Sequence, residues 1–172
     1  MVIDQQIIPL KYGLYETDKH CEPASLASVL YGPSYLSFEY VLSKNGLIPE
    51  RVFVYSSACF RKNRTKQFKN AFGIYTYRNI PVDVFPYGVQ LMQDGERFWS
   101  QACPEKALCD VLYEQRPLED HSRFSGYLFD GLRLDEEAFE SLDQELMLFL
   151  ASRYRKKNLR YLERLIKERR TV

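Results

Sequence analysis

Residues Arg51–Ile80 read RVFVYSSACFRKNRTKQFKNAFGIYTYRNI, and the fold turns on how this stretch divides. Its first part, RVFVYSSA, is β-branched and aromatic, the composition of a strand. Its last part, GIYTYRNI, alternates apolar and polar residues as a half-buried strand does, and Pro81 ends it. Between them RKNRTK is a polar break. The centre of the chain is therefore expected to be a sheet.

On the C-terminal side, VDVFPYGVQLM and ERFWSQA are expected as two more strands joined at the Asp94-Gly95 turn. On the N-terminal side, IIPLKYGLYETD reads as a short strand or hairpin arm around Gly13. EPASLASVLYG follows with Pro23 at a first helical position and Gly32 as a stop. In SYLSFEYVLSKNGLIPE, Ser34–Glu50, Ser37 suits an N-cap, Phe38, Val41 and Leu42 share one helical face, and Asn45-Gly46 ends the helix. PEKALCDVLYEQ returns to helical spacing, with Ala107, Leu108, Val111 and Leu112 on one face. Residues 117–133 read as irregular. Positions 134, 138, 142, 146 and 150 are all apolar, which predicts an acidic helix over about 134–150. A last helix over about 152–170 places Tyr154, Tyr161, Leu162, Leu165 and Ile166 on one side and its bases on the other. These patterns predict an α+β fold: a central, largely antiparallel sheet flanked by helices, with a helical C-terminal region.

The net charge of +1 hides an uneven distribution. Arg51–Lys69 holds six bases and no acid, Asp94–Glu145 holds fourteen acids against five bases, and Arg153–Arg170 holds nine bases against two acids. Such blocks point either to contact with nucleic acid or an acidic partner, or to solvated faces. Two sets of residues are the candidate contacts. Arg61, Lys62, Arg64, Lys66 and Lys69 lie in a basic connection edged by Phe60 and Phe68, and Lys156, Lys157, Arg160 and Arg164 line the last helix.

Enzymatic chemistry finds little footing. Two histidines, His20 and His121, sit in no nucleophile motif, and the four cysteines make no metal-ligand spacing. Phosphate-binding glycine loops are absent from the sequence. Asp83, Glu105, Lys106 and Asp110 form the one set that resembles a metal-dependent nuclease. Lys106 and Asp110, four apart on a helix, are more simply a surface ion pair, and Glu105 suits the helix dipole. No catalytic residue, metal or cofactor is expected. Lacking a signal peptide or a run of about 18 apolar residues, the chain is expected to be reduced and cytoplasmic, with no membrane partner.

Three blocks carry a family likeness. PSYLSFEYVLSKNGLIPE (Pro33–Glu50), FGIYTYRNI (Phe72–Ile80) and ACPEKALCDVLY (Ala102–Tyr113) resemble, in order and spacing, the AbiEi-type antitoxins of the AbiE abortive-infection (type IV toxin–antitoxin) systems. The departures are Tyr40 at a usual Ser, Cys103 at a usual hydroxyl residue, and SSACF at a Thr-rich strand end. The resemblance implies a non-enzymatic antitoxin domain over 17–172. Its partner would be a nucleotidyltransferase-like toxin, and its relatives transcriptional autoregulators with an N-terminal winged helix-turn-helix. It also implies that LKYGLYE lies in the final wing strand, so that 1–16 is a wing remnant without the DNA-reading helices.

Overall fold

A computed structural model describes residues 7–171. Strands β1 (Ile8–Lys11) and β2 (Leu14–Glu16) pair as a separate hairpin. Six more strands, β3 (Ser34–Leu36), β4 (Val54–Cys59), β5 (Lys66–Asn70), β6 (Gly73–Asn79), β7 (Val89–Asp94) and β8 (Arg97–Ala102), build one sheet in the order β5-β6-β4-β3-β8-β7. The helices are α1 (Ala27–Leu30), α2 (Phe38–Lys44), α3 (Pro104–Glu114), α4 (His121–Gly126), α5 (Glu136–Glu140), α6 (Gln144–Tyr154) and α7 (Lys157–Arg170). This is the α+β fold that the patterning predicts.

The pairings β3–β4, β5–β6 and β7–β8 are antiparallel. By contrast β4–β6 is parallel, because β5 lies at the sheet edge and β6 returns between it and β4. The joint between β3 and β8 is also parallel and consists of a single registered pair, Leu36↔Gln101.

Alternation along each strand divides the core in two. Tyr35, Ala58 and Ala102 face a core shared with α2, α3, α6 and α7. Leu36, Cys59, Tyr75, Tyr77 and Trp99 face the other side, against Leu26, Ala27, Leu30 and Leu10 of the hairpin. Leu10 is thus part of the second core. Residues 1–6 of the expected wing remnant lie outside the described residues.

Several expected elements change. The basic connection covers only residues 60–65, and Lys66 and Lys69 belong to edge strand β5. VDVFPYG is not a strand: Val82–Val84 forms a 3-10 turn before β7 begins. The stretch expected to be irregular holds α4, capped by Asp120, and a π-helical turn over Tyr127–Gly131. The helix expected over 134–150 is broken. Asp135 caps α5 and Asp143 caps α6, each accepting a backbone N–H three residues on, and a capping side chain favours a new helix over continuation of the old one. Tyr154 closes α6 rather than opening the last helix, and Arg155, at φ 51°, breaks the chain before α7.

Among the described residues no helix is long and apolar enough to cross a membrane.

The hairpin is tied to the sheet by Arg97, whose two terminal nitrogens lie 2.8 and 3.0 Å from the Glu16 carboxylate oxygens. That paired contact holds the Glu16 carboxyl down to about 2, against partial burial and with help from the Asp18 and Thr17 N–H groups. A folded-state value below the unfolded one stabilises at pH above the unfolded value, and the gain disappears as pH falls through the folded value. Glu16→Gln is therefore expected to narrow the stability difference between neutral and acid solution. The effect should be on the order of 1 kcal/mol by urea denaturation at about pH 6 and pH 2.5, since the pair is reached by solvent. Equal acid sensitivity of the two proteins would contradict it.

Candidate functional site

Residues Lys106–Leu112 are all buried, so α3 is enclosed on every side by α2, α6, α7 and β8. Any polar group on that stretch must find its partners inside the protein. Lys106 and Asp110 do so. The pair expected on the surface is entirely buried, each side chain being 0% exposed, with Nζ 3.2 Å from Asp110 Oδ1.

Around it the hydrogen bonds close. The Asp110 carboxylate accepts from the Ser37 hydroxyl (2.6 Å) and the Tyr35 hydroxyl (3.0 Å) at Oδ2. It accepts from the Tyr154 hydroxyl at Oδ1, while Lys106 donates to the Tyr154 oxygen. The Lys106 ammonium also sits 4.6 Å from the Tyr154 ring centroid and 5.7 Å from that of Tyr35. Burial first, and then the Asp110 charge, push both tyrosine hydroxyls well above the usual phenol range, so they serve as donors. Gly88 lets the chain pass at this point. At φ +66° it lies so close that a Cβ would meet Lys106 Cβ at 2.9 Å and Cys103 Sγ at 3.1 Å.

Ser37 therefore does not cap α2 with its side chain. Its N–H donates to the Ser56 carbonyl (2.8 Å), its carbonyl accepts from the Ser56 hydroxyl (3.2 Å), and its own hydroxyl goes to Asp110. Pinned in this way, the chain turns from β3 into α2 at a single residue, Phe38, whose φ of 59° is left-handed. Arg78 of β6 lies 4.2 Å above the Phe38 ring and bonds Glu39 at 2.9 Å. The segments Pro33–Glu50 and Ala102–Tyr113 thus meet at Asp110, and Phe72–Ile80 is joined to the first of them through Arg78.

The other catalytic-looking residues do not assemble. Asp83 is exposed in the Val82–Val84 turn, and Glu105 accepts from the Asp143 N–H (3.0 Å). Among the described residues no three His, Cys, Asp or Glu side chains gather in a metal-holding group. His20 is exposed, while His121 packs against Phe124 and Tyr161. Burial pushes the thiols of Cys59 and Cys103 up to about 12, the opposite of a nucleophile's need.

The predicted basic residues form two separate groups. Arg61, Arg64, Lys66 and Lys69 are exposed, and none of them has an acid partner among the described residues. Lys62 lies 5.1 Å over the Tyr31 ring. Lys11, which the sequence did not single out, lies 5.7 Å over Phe68, and Tyr31 and Phe68 are themselves 6.3 Å apart. Lysines and rings therefore alternate beside β5. In the other group Lys156 donates to the Tyr113 carbonyl (2.5 Å) and Lys157 to the Glu119 carbonyl (2.8 Å). Arg164 pairs with Glu168 at 2.6 Å, which leaves Arg160 as the member of that group with no such contact among the described residues. The packing neighbours of α7 are α6, α3 and α4, and those of β5 are β6 and β1, so the two groups occupy different parts of the molecule.

Comparison with protein-family models, with curated proteins and with solved structures finds no match to this chain. Its class rests on its own geometry: an α+β domain organised around an enclosed lysine–aspartate pair, with a basic, aromatic sheet edge.

Removing one member of such a pair strands its partner in a dry core. Asp110 has four donors to lose, whereas without Lys106 the carboxylate keeps three hydroxyls. Asp110→Ala is therefore expected to cost about 3–5 kcal/mol in urea denaturation, and Lys106→Met measurably less. A Lys106→Met variant that is the less stable of the two would overturn this ordering.

Proposed function

We propose that the chain is a non-enzymatic, antitoxin-like domain of a phage-defence toxin–antitoxin locus. It would oppose a nucleotidyltransferase-like toxin and be related to transcriptional autoregulators. The supporting observation is the convergence of the three family-like blocks. Tyr35 and Ser37 of the first meet Lys106 and Asp110 of the third, and Arg78 of the second, partly exposed, stacks on Phe38 and bonds Glu39 of the first. Because those residues are consumed in folding, the activity of the domain falls to its surfaces. Co-expression with the product of the adjacent gene tests the proposal. Growth lost to that product is expected to return when this chain is present. A neighbour that is not a nucleotidyltransferase, or toxicity untouched by the chain, would sink it.

A second reading, a nucleic-acid-binding regulator, is favoured by the basic sheet edge. Four exposed bases with no acid partner can meet backbone phosphates, and the rings of Tyr31 and Phe68 sit between the flanking lysines. Such binding should weaken with salt, with a slope of about 0.9 per duplex phosphate neutralised. Replacing Arg61, Lys62, Arg64 and Lys66 by Ala should flatten that slope in gel-shift titrations. Binding that keeps its salt dependence after the replacement excludes this edge.

A further inference from the structure

Among the described residues the sheet ends in two edge strands, and they are built differently. Edge strand β5 carries Lys66 and Lys69 within five residues and packs against β1, which are ordinary protections against strand addition. Edge strand β7, VQLMQD, has no lysine or arginine and packs mainly on β8. Leu91 at its centre is 70% exposed, and Phe98 on β8, diagonal to it on the same face, is 52% exposed.

The phase of the β7–β8 ladder shows which backbone groups are unused. Cys103 N–H donates to the Gly88 carbonyl at 2.8 Å, one step beyond the Val89↔Ala102 pair. Antiparallel ladders alternate, so Gly88, Gln90, Met92 and Asp94 turn their backbone groups toward β8. Val89, Leu91 and Gln93 turn theirs outward.

We propose that β7 is a self-association edge, on which a second copy of this chain adds its own β7 antiparallel to form one continuous twelve-stranded sheet. The register follows from the strand itself. With Leu91 opposite Leu91 of the second copy, Val89 falls opposite Gln93 and Gln90 opposite Met92. The three outward-facing residues of each strand then become the hydrogen-bonded pairs, and no like charges are opposed. The ends are complementary too. Asp94 and Glu96 lie at one end of β7, and at the other Arg153 rests 5.3 Å from the Tyr87 ring, so head-to-tail pairing brings acid to base at both ends. The same operation on β5 would set lysine-bearing edges against each other.

A six-residue ladder with two leucines at its centre stays below the roughly 1,200 Å² of standard interfaces, so dissociation on the order of 10 µM is expected. Sedimentation of the full chain should show a shift from 20.3 kDa toward twice that mass as concentration rises. Leu91→Lys opposes two like charges at the axis and should weaken the dimer about tenfold or more. A cysteine pair gives an independent test of register. Leu91→Cys places two thiols across the axis with Cα atoms about 5.5 Å apart, within disulfide range, whereas Gln93→Cys leaves them about 13 Å apart. Under mild oxidant only Leu91→Cys should crosslink, since all four native cysteines are buried. Any one of three results overturns the proposal: a wild-type chain monomeric at about fifty times the expected dissociation constant, a Leu91→Lys chain that associates as well as wild type, or equal crosslinking at the two positions.

Discussion

Asp110 is a carboxylate with no solvent around it, in a core that would otherwise be aliphatic and aromatic. An isolated charge there would be intolerable, so the chain brings it an ammonium from its own helix and three hydroxyls, two from the end of β3 and one from α6. Each donor makes a demand on the fold. Tyr35 and Ser37 fix where β3 ends, Ser37 obliges Phe38 to take the left-handed turn into α2, Tyr154 fixes the end of α6, and Lys106 obliges Gly88 to lack a side chain. A hydrophobic pair of similar volume can stabilise as well or better than such an ion pair. What the polar hub adds is direction: hydroxyls and an ammonium satisfy the carboxylate in only a few arrangements.

Much of this architecture is legible in local pattern. The strands β4, β6 and β8, the turn at Gly95, helix α3 with Pro104 at its start, and the left-handed stop at Gly46 all follow from spacing and composition. What escapes is set by partners far away in sequence. With three residues, β3 is too short to show alternation, yet it sits at the middle of the sheet. The burial of Lys106 and Asp110 cannot be read from an i, i+4 spacing that fits a surface pair equally well. The apolar stripe from Leu134 to Leu150 is continuous, but Asp143 caps a new helix within it, so periodicity outruns the element that it describes. Arg61, Lys62, Arg64, Lys66 and Lys69 are close in sequence, so their nearness to one another can be read from it. Their neighbours Lys11 and Tyr31 join them only through the tertiary fold.

Charge is divided among the surfaces in a way that separates tasks. On and just before α7 several bases are occupied: Lys156 and Lys157 on the Tyr113 and Glu119 carbonyls, Arg164 on Glu168 of the same helix, Arg169 on Glu136 and Glu140 of α5. Lys156, Lys157 and Arg169 thereby tie this end of the chain to α3, to the connection before α4 and to α5. Beside β5, Arg61, Arg64, Lys66 and Lys69 have no acid partner among the described residues.

The joint between β3 and β8 bears on how the molecule yields. One registered pair, Leu36↔Gln101, is all the strand pairing that links β5-β6-β4-β3 to β8-β7. The sheet is therefore two panels meeting at a seam, and beyond that one pair the seam is bridged by side chains. Tyr35 and Ser37 stand on one panel or at its end, Lys106 and Asp110 on the helix that leaves the other, and the buried charge fastens them like a rivet. Loosening that rivet would free the amide protons that β3 and β8 turn toward each other, while the hairpins β5–β6 and β7–β8 stayed protected.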